Sequence, residues 1–203
     1  MPTIKLVAGI IGAGVVAIVL VIVLAGGLSS SIRGRMAASQ APPPSMISSY
    51  LGGTWSLQPS RSFIMSVNPV TDVATVTFLN GTTTYVNVSQ PSLSTPAPGV
   101  GQPTGGGGFL PLTVRLFTYV GLDNSQLGLF SFKYANASVV QLIESRVTGL
   151  SQLNGVPYYY ESIGEVSFVT SFYGDTIVYI ITNATTSESS LVSLAVNYAS
   201  SAS

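Results

Sequence analysis

From Leu6 to Leu28 the chain runs for 23 residues without one charged or strongly polar side chain. As an α-helix that run would be about 34 Å long, at 1.5 Å per residue. A bilayer's hydrocarbon core is about 30 Å thick. A helix is the form that fits, because an isolated strand in lipid leaves backbone groups unpaired. Two fates are open. One is a retained transmembrane anchor. The other is a cleaved signal peptide, whose apolar region usually spans about 7–15 residues. The length favours the anchor, while Ala25-Gly26-Gly27 offers small residues to a signal peptidase. Lys5 precedes the run and Arg33 and Arg35 follow it, so positive charge sets no orientation. Ala8, Gly9, Gly12, Ala13 and Ala17 pair at a spacing of four, as Ala8/Gly12, Gly9/Ala13 and Ala13/Ala17. That spacing lets two helices pack closely and self-associate. The plainer explanation is that Gly and Ala are common in membrane helices.

Residues 1–28 are therefore expected to be the anchor or signal segment. Residues 29–45 are Ser/Ala-rich and close on Pro42-Pro43-Pro44. They are expected to form a stalk, since consecutive prolines favour an extended, semi-rigid spacer. The alternative is an ordered segment lying on the domain. Residues 46–203 are expected to be one globular domain.

Within that domain, residues 62–67 read as a first strand. Residues 73–79 and 82–88 alternate around Asn80-Gly81. Asn-Gly between two such runs predicts a hairpin with both turn residues at positive φ. Residues 90–108 hold four prolines and end in Gly105-Gly106-Gly107-Gly108, which predicts a long loop. No Gly-Lys-Ser/Thr follows those glycines, so they do not make a phosphate loop. Residues 112–120 and 127–135 predict a second hairpin around Asp123-Asn124. Ser138, with Gln141 three residues on, predicts a helix cap, and Val139, Val140, Leu142, Ile143 and Val147 give that helix an apolar side. Gly149 can end it. Residues 156–163, 165–173 and 176–182 read as strands, with Asn154-Gly155 and Gly174-Asp175 as turns. Leu191, Leu194, Ala195 and Tyr198 share helical spacing behind Ser187 or Ser189.

This order predicts an α+β domain, an antiparallel sheet with two short helices on one face. The alternative is an all-β sandwich. The stretch Asn154-Gly155-Val156-Pro157-Tyr158-Tyr159-Tyr160, with the strands and helix after it, resembles the ending of small PsbP/Mog1-like domains. That resemblance implies a binding or assembly module and transfers no site residue.

Composition narrows the chemistry. Seven Lys+Arg balance seven Asp+Glu, and only 7% of residues are charged. Soluble proteins carry roughly 25%. Without a basic patch no nucleic-acid partner is expected. The chain has no Cys and no His. A thiol nucleophile, a disulfide framework and the commonest general base and metal ligand are all missing. Glu161 and Glu165 flank Gly164 and read as solvated turn charges rather than a glycosidase pair. Asp175-Thr176 has Ile177 where an aspartic protease has glycine. Ser131 and Lys133 share a strand face, which a Ser–Lys hydrolase could use. No acid, base and nucleophile converge, so an enzyme, a cofactor, a metal and a small-molecule substrate are not expected.

Asn80, Asn87, Asn136 and Asn183 each begin an Asn-x-Ser/Thr acceptor for N-glycosylation. About two such matches arise by chance among eight Asn in so hydroxyl-rich a chain. Few charges, many Ser, Thr and Tyr, and several acceptor asparagines together resemble surface proteins of thermophilic or acidophilic archaea. Neutral polar groups keep such a surface hydrated without titrating at low pH. The resemblance implies a non-enzymatic, glycosylated structural or binding protein, anchored in the membrane with its domain outside the cell, or secreted if the leader is cleaved. Its partners would be the membrane and itself or other envelope proteins.

An apolar N-terminal helix before a β-rich head is also similar to archaeal type IV pilins, which implies a filament subunit. Here Thr3-Ile4-Lys5 lacks the prepilin cleavage pair, and no Glu stands early in the helix. A donor-strand thread avoids that objection but must pair residues 29–49 with another subunit, and Pro42 to Pro44 are poor strand material. A membrane protein of an archaeal virion is a further alternative.

Overall fold

The computed structural model describes residues 41–87 and 111–203. The apolar run, its small-residue face, residues 29–40 of the expected stalk and the loop expected at 90–108 lie outside the described residues. Among the described residues no helix is long and apolar enough to cross a membrane.

Helix α1 (Pro44–Leu51) leads into strand β1 (Trp55–Leu57), a 3-10 turn (Pro59–Arg61) and β2 (Phe63–Asn68). Strands β3 (Val73–Phe78) and β4 (Thr83–Asn87) follow, then β5 (Thr113–Gly121) and β6 (Gln126–Lys133). Helix α2 (Ala137–Glu144) precedes β7 (Ser151–Leu153), β8 (Val156–Ile163), β9 (Val166–Tyr173) and β10 (Thr176–Thr182), and α3 (Glu188–Ala202) closes the chain. All ten strands join one sheet in the order β4-β3-β2-β5-β6-β10-β9-β8-β7, with β1 beside β5. One continuous sheet with three helices replaces the sandwich alternative. Every pairing is antiparallel.

The central strands explain why the sheet is covered on both sides. In β5, Phe117 and Tyr119 point to one face and Val114 and Leu116 to the other, and all four are buried. β6 repeats this with Leu127 and Leu129 against Phe130 and Phe132. An apolar strand of this kind needs a layer on each side. Helices α1 and α3 cover the Phe117/Tyr119 face through Ile47, Leu191, Leu194 and Ala195. Helix α2 lies on the other, where Val140 meets Phe172, Ile177 and their neighbours. The helices thus occupy both faces, not one as expected.

Two capping details differ from expectation or sharpen it. The cap of α2 is Asn136, whose Oδ1 accepts from Val139 N at 3.3 Å, and not Ser138. Asparagine is as good a cap as serine, so the helix starts two residues earlier, at Ala137. Helix α3 is capped by Ser187, whose Oγ accepts from Ser190 N at 3.2 Å.

The beginning of the domain departs further. Pro42 is already buried and Pro44 sits in the first turn of α1, with Ile47 fully buried below it. Proline suits a helix's first turn, where its missing N–H costs nothing. The described residues before 46 thus already pack on the domain, as in the alternative of a segment lying on it. Strands β1 and β7, three residues each, were not anticipated.

The Asn80-Gly81 hairpin is present with a different turn. Gly81 N donates to Phe78 O at 2.9 Å and Phe78 N to Thr82 O at 2.8 Å. Gly81 has φ +92° and Asn80 is not at positive φ. This is a three-residue loop, a type I turn followed by a left-handed bulge residue.

Candidate functional site

The site starts from one arginine in an apolar strand. Arg115 lies in β5 on the same face as Phe117 and Tyr119, paired across the ladder with Ser131 of β6. Strand alternation sends its side chain toward α1 and α3. There a cleft of about 340 Å³ is lined by Ala41, Pro42, Pro43, Met46, Arg115, Tyr198, Ser201 and Ala202. Three parts of the chain build it: the segment entering α1, the centre of the sheet, and the last turn and a half of α3.

A row of hydroxyls organises the wall behind the arginine. Tyr119 Oη donates to the Pro42 carbonyl at 2.6 Å, in a buried position. This bond holds the incoming segment against the sheet. Burial drives the Tyr119 hydroxyl far above its usual range, and the neighbouring Tyr198 adds to the shift. Tyr198, on α3, is 5% exposed. Burial raises its pKa, while Ser131 and the Arg115 guanidinium pull in the opposite direction. Tyr119 is therefore a neutral donor at ordinary pH, while the Tyr198 oxygen accepts from Ser131 and the Arg115 guanidinium. Arg115 Nε is buried and has no hydrogen-bond partner. Leaving a buried donor unpaired costs about 1–3 kcal/mol, and more when it is charged. The cation beside it on the same face, Lys133, reaches Asp175 Oδ2 at 3.7 Å. Among the described residues Arg115 has no ion-pair partner.

The residues singled out from sequence are dispersed. Asn80, Asn87, Asn136 and Asn183 are all exposed. Asn80 Oδ1 accepts from Thr82 N at 3.0 Å and Asn183 Oδ1 from Gln126 N at 2.6 Å. Ser131 and Lys133 do share a face, but Ser131 is buried behind Arg115 and Lys133 is paired with Asp175. Glu161 Oε2 accepts from Tyr159 Oη at 2.9 Å, and Glu165 is exposed in the turn after Gly164. The Asp175 carboxylate also accepts from Thr176 Oγ1 at 3.0 Å. Among the described residues no group of three or more acidic side chains could hold a metal ion. Ala8, Gly9, Gly12, Ala13 and Ala17 lie outside the described residues.

Sequence reasoning passed over Arg115. The signal that could have found it is a lone cation inside an apolar alternation, in a chain with only seven Lys+Arg. No family model matches the chain, nor does any curated protein or solved structure.

Proposed function

We propose that this chain is a non-enzymatic, membrane-tethered domain displayed outside the cell, glycosylated on some of its acceptor asparagines and serving as a structural or binding part of an envelope. The observation that carries this reading is how the domain receives its tether. Pro42 is buried, its carbonyl is held by Tyr119, and Ile47 of α1 is fully buried in the core. A pull along the chain from residue 41 would act on the centre of the sheet and not on a frayed end. Residues 29–40 separate that point from the apolar run, and 12 residues reach at most about 40 Å when extended. The domain would sit close to the bilayer at a defined place on its surface.

Other features fit. The acceptor asparagines are exposed at strand ends and turns, and at Asn80, Asn136 and Asn183 the engaged atom is the oxygen, not the nitrogen that carries a glycan. Of the titratable candidates, Lys133 is engaged with Asp175 and Glu161 with Tyr159, and Glu165 is exposed in a turn. Partners would be the membrane, other copies through the Ala8/Gly12 face, or neighbouring envelope proteins. The donor-strand filament loses support, because pairing residues 29–49 with another subunit would require α1 to unwind and Ile47 to leave the core.

A protease added to intact cells or particles is the direct test of sidedness. The domain should be cut before the membrane is opened. Full protection until the membrane is breached would place it inside and overturn the proposal.

A further inference from the structure

We propose that the cleft between Ala41–Met46 and the end of α3 is a binding site for a carboxylate carried on a short apolar body, with Arg115 as its cation. The inference stands whether or not residues 1–28 are retained.

The chemistry follows from the lining. Arg115 brings a buried Nε that nothing satisfies, at the edge of a cleft of about 340 Å³. Native structures rarely leave such a donor unpaired without a ligand, ion or water to meet it. A guanidinium is planar and its N–H groups form a fork that matches a carboxylate's two oxygens. Of the other polar lining residues, Ser201 Oγ donates to Tyr198 O at 2.9 Å and Tyr198 is hydrogen-bonded to the guanidinium, so the arginine is the group left to meet a ligand's charge. Lys133 is already occupied by Asp175, so the cleft offers one unspent positive charge. One charge suits a monoanion. A phosphate dianion would call for two. Ala41, Pro42, Pro43, Met46 and Ala202 make the rest of the lining apolar, which favours an acid with carbon attached over a bare inorganic ion.

The test uses the full chain in a maltoside detergent, which carries no acid group. Hexanoate, hexanamide and inorganic phosphate are titrated by calorimetry, and thermal melts are run alongside. Hexanoate should bind saturably, with hexanamide and phosphate at least tenfold weaker. Arg115→Met should weaken hexanoate at least tenfold without lowering the melting temperature, because it removes an unpaired charge along with the fork. Arg115→Lys keeps the charge but not the fork and should fall in between. Ala202→Trp fills the cleft without touching the arginine and should also abolish binding, so the proposal remains testable if Arg115→Met fails to fold. Absence of saturable hexanoate binding, equal binding of hexanamide, or unchanged binding in folded Arg115→Met or Ala202→Trp would each overturn it.

Discussion

The same dipeptide, Asn-Gly, closes two hairpins in this molecule and does so in two ways. At Asn154-Gly155 both residues have positive φ, +54° and +77°, and Leu153 pairs directly with Val156. That is a two-residue turn of the type that matches strand twist. At Asn80-Gly81 the loop takes in Leu79 as well, and only Gly81 is left-handed. The flanking residues account for the difference. Leu153 and Val156 both pack into the core under α3, so closing the turn on them keeps two apolar side chains inside. A two-residue turn at Asn80-Gly81 would slide β4 by one position against β3. Val86, now opposite Ala74 and packed on that core, would move to the other face, and Asn87 would take its place. Burial of Val86 sets the register, and the turn adapts. A third loop confirms that the adaptation is a standard one. Leu122-Asp123-Asn124 repeats the geometry of Leu79-Asn80-Gly81, with Asn124 at φ +65° and Asp123 bonding Ser125 N at 3.0 Å as Asn80 bonds Thr82 N.

Substitutions can break this contrast. Gly155→Val should cost roughly 1–3 kcal/mol in a denaturant melt, since a β-branched residue must hold positive φ beside another left-handed residue. Gly81→Val, at φ +92°, belongs in the same range. An unchanged melt would show that neither glycine is the turn residue. Deleting Leu79 is the next largest effect. It leaves Phe78 and Thr82 flanking Asn-Gly in the present register and should convert the loop to a two-residue turn. The cost is expected at about 1–2 kcal/mol, for a half-buried leucine and its N–H bond to Ser62 O. Loss of cooperative unfolding would mean the register depends on the loop after all. Glycine scanning should then separate the two asparagines. Asn154→Gly should be near neutral because it relieves left-handed strain, whereas Asn80→Gly should cost about 1 kcal/mol through its lost side-chain bond and a looser unfolded chain. Equal values would erase the contrast.

The smallest effect is electrostatic. Hydrogen bonds from Ser125 hold the Asp123 carboxyl below its usual range. A lowered folded pKa gives stability that is present above the ordinary carboxylate value and lost as pH falls through the folded one. Asp123→Asn should remove a shallow acid-side slope from the stability profile, and Asn80→Asp should introduce one. The side chain of Asp123 is exposed, so both slopes are slight.

Local chemistry made much of this fold legible. Residues 156–163 and 176–182 were bounded by sequence at their observed ends, because period-two alternation and Gly or Asn-Gly turns agree there. The register at Asn80-Gly81 was not legible, since it is decided by a contact of Val86 across the sheet. Helix α1 was hidden by its prolines: the same three residues describe a spacer or a helix start, and only the burial of Ile47 decides. The Arg115 cleft was hidden for a related reason. Residues 41–46, 115 and 198–202 are far apart in sequence, and no motif links them. The acceptor asparagines were visible as a pattern, and their exposure follows from lying in turns and at strand ends.

The central claim is that the domain is held by a retained N-terminal helix, and intact mass with N-terminal sequencing of the natural protein tests it most directly. The account predicts a chain that begins at Met1 or Pro2 and carries the whole apolar run into the membrane fraction. A chain beginning near Gly27 or Leu28 would contradict it in favour of secretion, and one beginning between Leu6 and Gly12 in favour of a pilin-type subunit.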